Sequence, residues 1–173
     1  MVGYVSYVIN HIFTFCIQIM AAIHKISEDY FEDSYTLIAL HSSLEDHALV
    51  YALNMCLKSK LKRSKDDLDI SIDISFPIFE WKDIAHDALW TLITNYSIKE
   101  ENLGQEDLFG NEPSYRTHYL VPEHRDVDYF LKVEMDEVGD CETIVREILK
   151  IPKVITAYTV DNKKLKSKNN LIF

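Results

Sequence analysis

Two carboxylates flank the segment Pro122-Glu123-His124-Arg125-Asp126-Val127-Asp128-Tyr129. Glu123 and Asp128, one on each side of a chain reversal, could serve as a general acid and base if burial pushed their pKa values apart. The same residues have a structural use, because a carboxylate beside a turn accepts backbone N–H groups and fixes its shape. Nothing next to them in sequence supplies a nucleophile or a metal, which favours the structural use. His41 is the third catalytic candidate, with His118 as an alternative imidazole. His41-Ser42-Ser43 falls at a strand-to-helix junction, where free N–H groups can take an anion. Plain helix capping explains the same residues.

The usual cofactor signatures are missing. With Gly3, Gly104, Gly110 and Gly139 as the only glycines, neither a GxGxxG turn nor a GxxxxGK[ST] loop can be written, and no GxSxG elbow occurs. The seven histidines form no HxxxH or HExxH pair, and Cys16, Cys56 and Cys141 form no CxxC pair. The expectation is no cofactor and no metal. An odd number of widely spaced cysteines fits a reducing, cytoplasmic setting better than a disulfide scaffold.

Charge points the same way. Eighteen basic against 28 acidic residues give a net charge of −10, a field that repels nucleic acid at long range. The basic residues are clustered, with Lys58, Lys60, Lys62, Arg63 and Lys65 in one group and Lys163, Lys164, Lys166 and Lys168 in another. Such patches could meet RNA or an acidic protein. Neither carries the interleaved aromatics on which single strands stack, and a charge run is usually a solvated face.

The elements that must position these residues follow from periodicity. Residues 35–41 are a short apolar run of β-formers. A helix follows, with Leu44, Ala48, Tyr51, Ala52, Met55 and Cys56 at helical spacing and Leu49, Leu53 and Leu57 widening the face, so the helix should be largely buried. Ser43 with Asp46 suggests its cap. From Leu68 to Ile78, aliphatic and polar residues alternate strictly, which predicts one strand with Pro77 at its edge or end. Residues 88–98 read as its returning partner, with Trp90, Leu92, Thr94 and Tyr96 on one side. Residues 99–115 read as an exposed loop, and 116–121 with 127–135 as a hairpin whose Asp128, Lys132 and Glu134 face solvent. Cys141, Ile144, Val145, Ile148 and Leu149 mark an amphipathic helix that Pro152 stops, and 153–160 is a last strand. The order β-α-β-β, loop, β-β-α-β predicts a single α+β domain with a largely antiparallel sheet and two main helices. A ferredoxin-like arrangement would satisfy that order, although the halves show no sequence repeat.

Tyr119-Leu120-Val121-Pro122-Glu123, followed by Val127-Asp128-Tyr129, resembles the signature of the bacterial IPExxVDY family. Residues 35–46, Phe79-Glu80-Trp81 and the tail Leu165-Lys166-Ser167-Lys168-Asn169-Asn170-Leu171-Ile172-Phe173 are similar to it as well. Val121 stands where the pattern has Ile, and three residues rather than two separate Glu123 from Val127. The resemblance implies no activity, since that family has none established. It makes Pro122, Glu123, Val127, Asp128 and Tyr129 candidate binding residues, together with Trp81, Leu171 and Phe173. Trp81 could anchor a partner or simply close the core. The expected function is a macromolecular interaction or regulatory module contacting another protein or itself. The alternatives are an acid–base enzyme using Glu123 and Asp128, and an RNA-associated protein using the basic clusters.

The first 23 residues contain no Lys, Arg, Asp or Glu, long enough for a spanning helix but without the charged flanks of a signal peptide or an anchor. The resemblance begins near Met20, so residues 1–19 read as a misassigned extension, with a membrane anchor as the alternative. At the other end, Leu171-Ile172-Phe173 would expose apolar surface unless Leu171 and Phe173 dock in a groove. Deleting residues 1–19 is expected to leave solubility and melting temperature unchanged, and a melt of the truncated protein checks it.

Overall fold

Leu37, Ile38, Ala39 and Leu40 have no exposed surface at all. Successive strand residues point to opposite faces, so a run of four fully buried residues means that both faces of this strand are covered. The strand is β1, Tyr35–Ser42, and the computed structural model describes it and the rest of residues 35–71, 74–101, 114–135 and 141–172.

The remaining elements are α1 (Asp46–Leu57), β2 (Lys62–Arg63), β3 (Leu68–Ser71), β4 (Ile74–Phe76), β5 (Ile78–Asp83), β6 (Ala88–Thr94), β7 (Tyr96–Glu101), β8 (Ser114–Tyr119), β9 (Tyr129–Glu134), α2 (Cys141–Ile148) and β10 (Val154–Val160). A six-stranded sheet runs β10-β1-β9-β6-β5-β2, and every ladder in it is antiparallel. The protein is therefore α+β. Its inner order β10-β1-β9-β6, with helices following β1 and β9, is the split βαβ arrangement of ferredoxin-like domains. Strands β5 and β2 extend it at one edge.

One sheet face carries both helices. Ile38, Leu40, Trp90, Leu92, Leu131 and Val133 from the strands pack with Leu49, Val50 and Leu53 of α1 and Ile148 of α2. Among the described residues the opposite face carries no α-helix. Leu37, Ala39, Ile93 and Phe130 are covered there by Phe76 of β4, by Leu120, Val121 and Val127, and by Leu165 and Leu171 of the tail.

Four expectations change. Residues 68–78 do not form one strand: β3 and β4 pair with each other, Leu68 opposite Phe76, and Pro77 marks the corner into β5. A period of two runs on through a short reversal, so alternation cannot tell a long strand from a hairpin plus a strand. Ile70 is consequently exposed. Residues 116–121 do not pair with β9 either. Strand β8 pairs with β7, Tyr96 opposite Tyr119, forming a separate ribbon from the end of the strand expected at 88–98, the two ends of the expected loop and the first arm of the expected hairpin, and the glycines and proline of that loop lie outside the described residues. Helix α1 is less buried than its pattern suggests, with Tyr51 and Met55 both exposed. Nor does Ser43 cap it: the N-cap is Glu45 without a side-chain bond, and the Leu44 N–H goes to Ser42 Oγ at 3.2 Å. Among the described residues no helix is long and apolar enough to cross a membrane.

Strand β6 ends at Thr94, and the next residue, Asn95, is completely buried. A buried carboxamide must find partners inside the protein, and this one does. Its Nδ2 donates to His124 O at 2.7 Å and Val127 O at 2.9 Å. Its Oδ1 accepts from the Val121 N–H at 2.9 Å. Its own backbone N–H donates to Asp128 O, and its carbonyl accepts from Leu120 N–H. Asn95→Ala strands one donor and two acceptors, each costing about 1–3 kcal/mol when buried and unpaired. Urea unfolding is expected to show a loss of at least about 3 kcal/mol.

Candidate functional site

The segment held by Asn95 contains the candidate carboxylates. Pro122 opens a single 3-10 turn, Pro122–His124, suited to a residue with fixed φ and no donor. Val127 is buried beneath the turn. The chain then joins β9, where the Asp128 N–H donates to Leu40 O at 3.1 Å.

Glu123 reaches away from Asp128, toward the tail. Its Oε1 accepts from the Lys166 N–H at 2.6 Å and the Ser167 N–H at 2.8 Å, and its Oε2 accepts from Ser167 Oγ at 2.7 Å. Slight burial pushes its pKa up, but the hydrogen bonds from Ser167 and Lys166 outweigh that and hold the carboxyl below the ordinary 4.5. Asp128 turns instead to β1, where its Oδ2 accepts from the Ser42 N–H at 2.9 Å. The two carboxylates thus serve different pieces of backbone, and their lone pairs are used in holding structure.

Tyr129 is buried, and its hydroxyl donates to Leu44 O at 2.8 Å. Asp128 and Tyr129 together fix the connector between β1 and α1. Burial raises the Tyr129 pKa, and the negative charge of Tyr96, Asp46, Asp128 and Glu45 adds to that, so the hydroxyl stays protonated and donates. His41 lies beside this connector. Its ring stacks on Tyr158 with centroids 5.8 Å apart, and its Nε2 is 3.9 Å from Asp126 Oδ2. It meets neither candidate carboxylate in a hydrogen bond. His118 sits on the β7–β8 ribbon, on the polar side. Among the described residues no three His, Cys, Asp or Glu side chains converge as a metal would require.

Trp81 is part of the core boundary: it packs on the helix-side cluster and tilts against Trp90 at a centroid distance of 5.8 Å. The cluster from Lys58 to Lys65 is exposed. Arg63 lies over the Phe79 ring and pairs with Asp67.

The tail docks on the domain itself. Leu171 is fully buried in the face opposite the α-helices, its carbonyl accepts from Lys132 Nζ at 2.8 Å, and Asn170 Nδ2 donates to Leu120 O at 2.8 Å. Phe173 lies outside the described residues. Lys132 corrects an expectation. It belongs to the polar set of its strand but is 4% exposed, paired with Glu134 at 2.8 Å and lying over Tyr35. Neither Lys132 nor Asn95 was identifiable from local pattern. A single polar residue where an apolar strand stops was the one available hint for Asn95.

Strand β10 keeps a free side. It pairs with β1 alone among the described strands, and Val154-Ile155-Thr156-Ala157-Tyr158-Thr159-Val160 contains no charge and no proline. Ile155 is 75% and Tyr158 36% exposed. An unpaired edge ordinarily carries a charge, a proline or a cover that discourages pairing. Comparison with known proteins finds no matching family model, no matching curated protein and no matching solved structure.

The Glu123 clamp yields a pH dependence. A carboxyl with a lowered folded-state pKa contributes stability that is complete above the ordinary 4.5 and lost as pH falls through the lower folded value. At its exposed position the effect is screened, so Glu123→Gln is expected to cost on the order of 1 kcal/mol, or about 2–4 °C in Tm at pH 7. The variant should also lose less stability than wild type between pH 4.5 and lower values. Thermal melts across that range read both effects, and Leu171→Ala should cost more, about 2–5 kcal/mol.

Proposed function

We propose that this protein is an interaction module without catalysis, and that it works by strand addition at the β10 edge. The observation that carries the reading is the uncharged run Val154–Val160, which pairs with β1 alone among the described strands. The tail and the turn at Pro122–His124, the other contact elements considered, are engaged within the domain.

The proposed occupant is a second copy of the chain. Antiparallel pairing about a two-fold axis at Ala157 sets Ile155 opposite Thr159 and Thr156 opposite Tyr158. Pairs of β-branched and aromatic residues favour sheet pairing, and an isologous contact closes on itself. On this reading the resemblance to the IPExxVDY family describes a set of fold-holding residues: Pro122 turns the chain, Glu123 holds the tail, Val127 fills the core, and Asp128 and Tyr129 tie the β1–α1 connector. A cytoplasmic location completes the proposal, with Cys56 as a free thiol. Cys56 Sγ donates to Glu147 O at 3.0 Å.

Like charges placed directly opposite destabilise a strand pair, and opposite charges support it. Wild type is expected to dimerise with rising concentration in sedimentation velocity. Ile155→Lys with Thr159→Lys should be monomeric, as should Ile155→Glu with Thr159→Glu, and mixing the two should restore a dimer. Wild type that stays monomeric up to about 1 mM, or variants that dimerise unchanged, would refute edge pairing.

A further inference from the structure

A groove of about 500 Å³ opens between the N-terminus of α1, the Pro77 corner and the β7–β8 ribbon. That is within the size range of specific binding pockets. Its lining is mixed: Tyr96, Ile98, Pro77 and Tyr129 supply apolar surface, and Glu45 and Asp46 supply carboxylates.

The apolar surface continues beyond the groove. Directly paired residues of an antiparallel ribbon lie on one face, so Tyr96 and Tyr119, Ile98 and Thr117, and Glu100 and Tyr115 share a face. Ser97 and Lys99 point the other way with Arg116 and His118. Tyr96, Ile98 and Tyr115 remain 39%, 61% and 65% exposed. Single exposed apolar side chains are ordinary, but here three follow one face of a ribbon that opens into a groove. From Tyr96 to Glu100 the strip is about 13 Å long, which suits an elongated occupant better than a compact small molecule.

The electrostatics select the occupant. Glu45 is largely exposed, Asp46 is partly exposed, and Glu100 is exposed on the ribbon face. The exposed ring of His47 is 3.7 Å from Glu45 and 3.2 Å from Asp46. A third lining carboxylate, Asp67, is already paired with Arg63. The negative charge of Asp46 and Glu45 is felt at Tyr129, a lining residue, where it adds to burial, the larger cause, in opposing ionisation of the hydroxyl. Acidic lining residues and a net charge of −10 repel nucleic acid.

We infer that this groove binds a short segment of a partner protein that places an apolar side chain against Tyr96 and Ile98 and flanking lysines or arginines against Glu45 and Asp46. The contact is independent of β10, because the groove lies along β9, β6 and the Pro77 corner and the edge lies beyond β1.

Three fluorescein-labelled peptides of equal length test it by anisotropy: alternating Leu-Lys, alternating Ser-Lys and alternating Leu-Glu. The Leu-Lys peptide should bind one per chain, at least tenfold more tightly than Ser-Lys, while Leu-Glu should not bind. Ile98→Ser and Glu45→Lys, both at exposed positions, should each weaken Leu-Lys binding about tenfold with an unchanged thermal melt. Glu142→Lys is the control. It removes a carboxylate at the opposite end of the sheet, where Cys141 meets Thr36, and should leave binding intact. Three results would overturn the inference: no Leu-Lys binding, equal weakening by Glu142→Lys and Glu45→Lys, or no effect of Ile98→Ser.

Discussion

A carboxamide sealed from water must find every partner within the protein, and Asn95 finds five of them between its side chain and its backbone. All lie in residues 120–128, a stretch with no sheet ladder of its own. Backbone without ladder bonds has to be satisfied some other way before it can be buried. Asn95 provides that, and the hydrophobic side chains on either side of the turn can then enter the core: Leu120, Val121 and Val127 are all essentially inaccessible. With the stretch in place, part of the sheet's second face is covered. Remove the amide, and Leu37, Ala39, Ile93 and Phe130 lose the part of their cover that Leu120, Val121 and Val127 supply.

The tail covers the rest and depends on the same turn. Glu123 can take the Lys166 and Ser167 amides because the turn beginning at Pro122 presents its carboxylate outward. Anchored there, the chain reaches the buried ammonium of Lys132, which also meets Glu134 and the Tyr35 ring. A buried charge is tolerable when it is paired and hydrogen-bonded, and the Leu171 carbonyl supplies the hydrogen bond. The order of dependence runs from Asn95 to the turn, from the turn to Glu123, and from Glu123 to the tail that closes the second layer.

Much of the fold was legible because it is local. An apolar run located β1, alternation located β6 and β9, the stretch after Pro152 read as β10, helical spacing located α1 and α2, and element order led to an antiparallel α+β sheet. The misreadings share a cause. Period two reports which residues share a face, not what lies over that face. Lys132 alternates with Val133 and Leu131 as a solvent residue would, and is buried only because a segment 39 residues later crosses above it. For the same reason Glu123 read as a candidate acid when its partners sit 43 and 44 residues downstream. In residues 68–78 the alternation was real, but a hairpin preserves it. The groove had no sequence signal at all, since its walls come from α1, β7 and β9 and meet only in the folded chain.

How the polar groups are used also bears on how such a module would act. A switch needs an element with two arrangements of comparable energy, and that means groups with alternative partners. The connector between β1 and α1 lies between the β10 edge and the groove, so any signal linking them would pass through it. It has little freedom: the Ser42 N–H is held by Asp128, Ser42 Oγ donates to Lys153 O at 3.1 Å and accepts from Leu44 N–H, and the Leu44 carbonyl takes the Tyr129 hydroxyl. Each bond would have to break before the connector could shift. The physical expectation is a rigid platform whose two surfaces are filled independently, rather than one whose occupancy at the edge alters affinity in the groove. On that argument, of the two forms an interaction module can take, a scaffold fits this chain better than a regulator.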